Sequence, residues 1–472
     1  MNARPDDTQG RLPALVRDLE LTDPIPAIGA FAPDGRRIER AWLLVRLCTE
    51  PLGTLLLDVP DGGLAPAAVA AAVSGEFGEQ VRTRLAAAVG ETVAARAAVG
   101  ETAGDGVPAP TGRQSFDLPV GGLSVPGTPP FLASRERLLR DAPPITVVIC
   151  TRERPDALAV CLDSVLRQVY PTMRVLVVDN APTSDATRRV VDAAVGRGHV
   201  DYLLEPRPGL SRARNAAVAA SPGEILAWLD DDEVADPYWL SEVARALATY
   251  PEADVISGVI VPAELETPAQ LWFEQFGGHS KGRGFTPAVF SPATAHVQSP
   301  LYPLPAFATG ANMTFRAGVI ERIGGFDTAL GAGTLAMGSE DTLAFTRVLR
   351  QGGTIVYQPT AVTRHYHRRD LDGLRRQMIG YGRGLTAAYT SMVLTEPRVL
   401  LSLARLVPTA LRDVFGTGGP RTATIRDDFP TALLTVNRRA MMTGPYAYLR
   451  GRLRDRAMTS SARRAAIRAG AS

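Results

Sequence analysis

Ile145-Thr146-Val147-Val148-Ile149-Cys150 runs into Thr151-Arg152-Glu153-Arg154-Pro155, an almost wholly apolar stretch that stops at a charged turn closed by proline. A run this short and this rich in β-branched residues predicts a strand buried on both faces. A helical period follows over residues 156–168, then a second buried-type strand over residues 174–178 that ends at Asp179. The alternation continues: a helix over 187–194, a strand over 200–204, a helix over 211–220 and a strand over 224–229. This βαβ grammar predicts at least four strands covered by helices, a parallel α/β architecture of nucleotide-binding type. In such sheets ligands sit beyond the carboxyl ends of the strands, which points at 151–154, at Asp179 and Asn180, and at 230–232.

Outward from this region the composition changes. Upstream, two apolar stretches, 41–47 and 54–59, are separated by Pro51 and Gly53, a plausible hairpin, and an Ala/Val-rich helical pair follows over 65–99. From about 100 to 140 the chain is rich in Gly and Pro, the composition of a connection. The expected domains are therefore a small N-terminal α/β domain (1–130) with a linker to about 143, a sheet domain (144–385) and a helical C-terminal region with a basic tail (386–472).

The whole chain has 472 residues, 45% of them hydrophobic and 21% charged, which excludes global disorder and fibrous repeats. Lys+Arg number 51 against 49 Asp+Glu, a net charge of +2 that gives no support to nucleic-acid binding. Cys48, Cys150 and Cys161 have neither CxxC spacing nor a nearby histidine, so a disulfide framework or zinc site is not indicated and a reducing cytoplasm is the expected location. The first thirty residues lack the apolar stretch of a signal peptide, and the most apolar late segment, 399–414, is interrupted by Arg405, Pro408, Arg412 and Asp413. Residues 446–472 carry seven arginines against Asp455 alone, so a basic amphipathic tail could rest peripherally on anionic lipid at the inner membrane face; a solvated helix is the plainer alternative.

Asp230-Asp231-Asp232 puts three carboxylates at one strand end, where mutual repulsion calls for a cation. Mg²⁺ and Mn²⁺ take oxygen ligands and share them with substrate phosphates, so the cluster suits a nucleoside-diphosphate leaving group. Strand alternation decides which face each serves: Asp230 and Asp232 can point together while Asp231 points the other way. Asp232 is then the first metal candidate and Asp230 a metal or nucleotide contact. Asp179 could accept from a base N–H or a ribose hydroxyl, or simply cap a turn. Gly209 to Asn215 opens a helix with Ser211 as N-cap, offering backbone N–H groups and the guanidinium groups of Arg212 and Arg214 to an anion, unless these pair with surface carboxylates. Glu340-Asp341 opens a helix over 342–351, where acids also favour the helix dipole.

Taken in order, Thr151 to Pro155, Val177 to Asn180, Gly209 to Asn215, Asp230 to Asp232, Thr309-Gly310-Ala311-Asn312-Met313, Gly324-Gly325-Phe326-Asp327 and Gly338 to Asp341 closely resemble glycosyltransferase family 2 over about residues 145–385. The resemblance implies a GT-A fold, a nucleotide-sugar donor and inversion at the anomeric carbon. It places Thr151, Arg152 and Arg154 against the nucleoside and its ribose, Asp179 at the base, and Asp230 and Asp232 in a DXD-type motif; Arg214, Asn215 and Asp231 are further candidates for binding the nucleotide sugar. Asp341 matches the usual catalytic base, with Glu340 the alternative; His365, chosen narrowly over His367, stands about where some relatives supply a histidine to the metal or diphosphate, surface residues being the plainer alternative for both. The expected acceptor is the hydroxyl of a glycan, a lipid-linked glycan or a small molecule. A sugar-phosphate nucleotidyltransferase, or a carbohydrate-binding protein with a decayed transferase domain, are the alternatives; the first would carry a Gly-rich loop after the first strand, and 151–155 contains no glycine. Two features depart from the family pattern: the N-terminal extension, and a long segment from Pro262 to Pro305 carrying Trp272, Phe273, Phe276, His279, Phe285 and Phe290, either acceptor-facing or a buried cluster.

Overall fold

The computed structural model describes residues 14–98, 116–125, 127–280, 282–292, 301, 308–415, 425–426 and 428–469. Most of the Gly/Pro-rich stretch at 99–115, much of the long segment before Thr309 (293–300 and 302–307), and the side chains of Arg463, Arg464 and Arg468 lie outside that description. The chain divides into two compact units, 1–141 with 264–268, and 142–263 with 269–472.

In the first unit, β1 (Ala14–Glu20) pairs in parallel with β2 (Arg40–Leu47), and β2 pairs antiparallel with β3 (Glu50–Asp58). The hairpin exists, but its turn is Cys48-Thr49, with φ of 51° and 70°, and not the Pro51–Gly53 stretch read from sequence. Two successive left-handed residues match the strand twist, and Glu20 steadies them by accepting from the Cys48 and Thr49 amides at 2.8 and 2.7 Å. Pro51 is tolerated inside β3 because β3 is an edge strand and the register shifts there. The expected helical pair is one helix, α1 (Pro66–Ala98), whose Val69, Val73, Phe77 and Val81 bury against the sheet's Leu43 and Val45. A second helix, α2 (Pro130–Leu139), begins inside the stretch read as a connection.

The second unit follows the predicted alternation: β4 (Ile145–Thr151), α3 (Pro155–Leu166), β5 (Met173–Asn180), α4 (Ala186–Ala194), β6 (Val200–Glu205), α5 (Leu210–Ala220) and β7 (Ile225–Asp230). Beyond it come β8 (Glu233–Ala235), α6 (Trp239–Thr249), β9 (Val255–Pro262), α7 (Pro268–Gln275), β10 (Ala288–Phe290), β11 (Asn312–Phe315), α8 (Val319–Arg322), α9 (Glu340–Arg350) and β12 (Ile355–His365). Four helices close the chain: α10 (Leu371–Thr395), α11 (Val399–Phe415), α12 (Thr431–Met441) and α13 (Gly444–Ala469).

The sheet order is β10-β12-β9-β11-β7-β4-β5-β6, with β8 against β12. It is mixed and not purely parallel: β11 lies antiparallel between β7 and β9. Asn312 at the start of β11 holds that insertion together. Its carboxamide accepts from Trp239 Nε1 at 2.9 Å and donates to the Ala361 carbonyl at 2.9 Å, so three elements meet on one buried amide. Gly258 makes room for it, since a Cβ there would overlap the Asn312 amide and the Ala361 carbonyl. Beneath the sheet, Val147, Ile149, Leu158, Leu162, Trp239 and Leu240 form one core, so β4 and β7 end rigidly where their polar residues begin.

Candidate functional site

The carboxyl ends of β4, β7 and β12, the start of α9 and one face of α10 enclose a cavity of about 970 Å³. That volume is at the upper end of ordinary ligand pockets and accommodates a nucleotide sugar. Thr151, Arg152, Arg154, Arg214, Asp230, Asp231, Asp232, Glu340, Asp341 and His365 all line it.

β7 ends at Asp230, and residues 231–232 form a turn, so the strand alternation does not carry through the acidic triplet. Asp231 and Asp232 consequently share a partner instead of pointing apart: Arg154 donates to Asp231 Oδ1 at 2.5 Å and to Asp232 Oδ2 at 2.9 Å. Arg154, expected against a nucleoside, is turned onto the acids. Thr151 Oγ1 adds a 2.7 Å hydrogen bond to Asp231 Oδ2. Asp232 also lies 3.3 Å from His365 Nε2 and 3.4 Å from Arg368 Nη2. Burial opposes its charge, yet His365, Arg154 and Arg368 hold the Asp232 carboxyl well below the usual range. The neighbouring acids are less well compensated. Burial pushes Asp231 up to about 6 despite Arg154, and burial together with the Asp232 charge pushes Asp230 up despite Arg214. Two of the three acids are thus less well balanced than Asp232, an environment that a divalent cation would complement. Carboxylate oxygens of Asp230 and Asp232 with the imidazole of His365 are a donor set that suits Mn²⁺.

The opposite acidic pair is resolved differently. Glu340 is buried and accepts from Arg214 Nη1 at 2.8 Å, while Arg214 also reaches the Gly310 carbonyl at 3.0 Å. Burial and the adjacent Asp341 push the Glu340 carboxyl up, against the pull of Arg214. Asp341 is half-buried and is held by the Gly310 amide at 2.8 Å and the Thr342 amide at 2.6 Å. The loop before them is strained, with Met337 and Ser339 at φ of 68° and 66°. Such conformations cost roughly 1–3 kcal/mol each and persist where packing imposes them. Here the packing is α10: a Cβ at Gly384 would stand 2.8 Å from Ser339 Oγ, so a glycine lets the helix backbone press on the loop.

Not every expected residue reaches the cavity wall. Asn215 instead clamps the 324–326 turn, donating to the Phe326 carbonyl at 2.8 Å and accepting its amide at 2.9 Å. Asp179 is fully buried, accepts from Tyr202 Oη at 2.9 Å, and is pushed up by burial. Arg212 pairs with Asp455 of the basic tail, leaving Arg214 as the inward guanidinium of that helix. Sequence reasoning missed Arg368, three residues beyond His365, and the Gly310 amide, whose role was hidden inside a motif read only as a pattern. In the long aromatic segment, Phe276 and His279 line the cavity while Phe273 packs with Leu374, Met378 and Phe429.

Residues 146–324 match Glycosyl transferase family 2. They belong to that family. The transferase is 23% identical over 229 residues to the glucosyl-dolichyl phosphate glucuronosyltransferase of Haloferax volcanii, covering 47% of this chain and 68% of that one. It is 29% identical over 230 residues to the succinoglycan biosynthesis protein ExoM of Rhizobium meliloti, covering 46% and 65%. To the pre-mycofactocin glycosyltransferase of Mycobacterium tuberculosis it is 27% identical over 311 residues, covering 65% and 59%. The matches thus span between about three fifths and two thirds of these relatives. Among solved structures, the mannosyltransferase PcManGT of Pyrobaculum calidifontis, in complex with GDP-Man and Mn²⁺, aligns at a TM-score of 0.38 with 19% identity, covering 72% of this chain and 87% of that one.

Proposed function

We propose that this glycosyltransferase moves a hexose-type residue, with inversion, from a nucleotide sugar to an acceptor hydroxyl with the help of a divalent cation. A UDP-linked donor is the leading choice. The observation that carries the reading is the shared cavity: an under-compensated acidic cluster at one wall and a separate, backbone-held carboxylate at the other. Asp232, with Asp230 and His365, would hold Mn²⁺ or Mg²⁺, which when bound neutralises the departing diphosphate. Arg154 would exchange its hold on Asp231 and Asp232 for the incoming nucleotide. Asp341 would accept the acceptor's hydroxyl proton, since Glu340 is already committed to Arg214. Donor and acceptor would meet between the walls, so that the attacking oxygen approaches opposite the leaving diphosphate.

The family match argues against a nucleotidyltransferase. A panel of UDP-, GDP- and dTDP-sugars with Mn²⁺, read by nucleotide release, tests the reading. Acceptor-dependent release from one base class is the expected result, and release from none would overturn it. On the acceptor side we infer a lipid-linked or otherwise membrane-proximal glycan, with the protein working at the inner membrane face. No helix among the described residues is long and apolar enough to cross a membrane. However, α13 exposes Tyr446, Leu449 and Leu453 at helical spacing, interleaved with exposed Arg450, Arg452 and Arg454. Co-flotation with phosphatidylglycerol vesicles but not with phosphatidylcholine vesicles is expected, and flotation with neither removes this part of the reading.

A further inference from the structure

His279, His365 and His367 bring one ring nitrogen each within 4.8 Å of one another. The contacts around them distinguish a shared metal centre from a chain of hydrogen bonds. With metal–nitrogen bonds of about 2.0–2.1 Å, two tetrahedral ligand nitrogens would stand roughly 3.3 Å apart. His365 Nδ1 and His367 Nδ1 are 2.9 Å apart, the separation of a donor and its acceptor. At the far side of His367, Nε2 lies 2.8 Å from Glu274 Oε1. At the far side of His365, Nε2 lies 3.3 Å from Asp232 Oδ1.

Proton placement then follows from what each group can do. An ionised carboxylate only accepts, so the Glu274 contact puts a proton on His367 Nε2. With a cation on His365 Nε2, that nitrogen is a lone-pair donor, and the neutral ring carries its proton on Nδ1. His365 Nδ1–H then donates to the His367 Nδ1 lone pair, and His367 Nε2–H donates to Glu274. Each contact holds one proton and each acceptor one donor.

We propose that Glu274 and His367 are positioning residues that lock the tautomer and the ring plane of His365, presenting its Nε2 lone pair to the cation held with Asp232. The inference rests on the proposed metal role of Asp232. It assigns a purpose to α7, which lies in the segment that departs from the family pattern: the helix carries Glu274 to the histidines and packs Phe273 edge-on to the His367 ring at 4.7 Å. Gly278 completes the arrangement, because a Cβ there would overlap the Glu274 carboxylate. The carboxylate at the end of the chain makes His365 a better donor, as carboxylate–histidine–metal arrangements do.

The test is Mn²⁺ affinity of the full chain, read by the paramagnetic resonance of the free ion, which needs neither nucleotide nor turnover. Glu274→Gln and His367→Phe should each weaken binding by about 10- to 100-fold. The double variant should be no weaker than His367→Phe alone, because both act through His365. Should His367→Phe fail to fold, the nearly isosteric Glu274→Gln decides. Parental affinity in both single variants, with binding abolished by Asp232→Asn, would overturn the relay and leave the metal site standing. Binding that survives Asp232→Asn would overturn both. A loss in His279→Ala as large as in His367→Phe would make the three rings joint ligands and so overturn the relay.

Discussion

The acids at the end of β7 and the acids at the start of α9 are chemically alike, yet the fold treats them in opposite ways. At 230–232 Arg154 bridges Asp231 and Asp232, His365 and Arg368 also face Asp232, and Asp230 lies 3.5 Å from Arg214, yet burial still pushes Asp230 and Asp231 up. At 340–341 the pair is split, with Glu340 committed to a buried guanidinium and Asp341 held by two backbone amides. On the proposed reading the first arrangement is completed by a cation. The second leaves one carboxylate fixed in place at the cavity wall while its neighbour is consumed. On that reading environment, not residue type, separates the proposed cation site from the proposed proton acceptor.

The sharpest way to break this contrast is to exchange the roles within the pair. Asp341→Asn should lower kcat by about 10²- to 10⁴-fold while donor binding, followed by calorimetry, stays parental. If Glu340→Gln instead carries the kinetic loss and Asp341→Asn turns over normally, the assignment is reversed. Next in size is stability. Arg214→Met strands Glu340 in a buried position and should cost about 3–5 kcal/mol in denaturant unfolding. Adding Glu340→Gln should return much of that, and no recovery would mean the pair is not the reason.

A smaller effect is expected from the amide that steadies the proposed base. A Cβ on Gly310 would lie 2.7 Å from Asp341 Oδ2, so Gly310→Ala must shift that carboxylate. The expected result is a fall in kcat of about tenfold or more with a near-parental melting temperature, since small misplacements of a reacting group are costly. An unaltered kcat would show that the Gly310 contact does not position the base. The mildest change lies in the acidic triplet: Thr151→Val removes one hydrogen bond to Asp231 and should lower stability by about 1–2 kcal/mol, measured by thermal unfolding.

The strands leading to the site were legible because each is an apolar run ending in polar residues, and β4, β5, β6 and β7 fall within a residue or two of the stretches read from sequence. β11 was not legible as a strand: Asn312–Phe315 is four residues long, and its antiparallel place is set by the Asn312 amide reaching β9, β12 and Trp239, contacts remote in sequence. The acids of the site were legible as types but not as roles. Alternation misplaced Asp231 because the strand ends one residue earlier, and Asn215 became a turn clamp because the 324–326 turn packs on its helix. Glu274 and Arg368 carry no local signal; only the fold brings them to the histidines and to Asp232.

The most direct test is a crystal structure with a nucleoside diphosphate and Mn²⁺, the metal located by its anomalous scattering. The account predicts a peak bonded to Asp232 and His365 Nε2, with the terminal phosphate in the cavity and turned toward Asp341. A metal bound elsewhere, or a diphosphate seated outside the space those residues share, would contradict it.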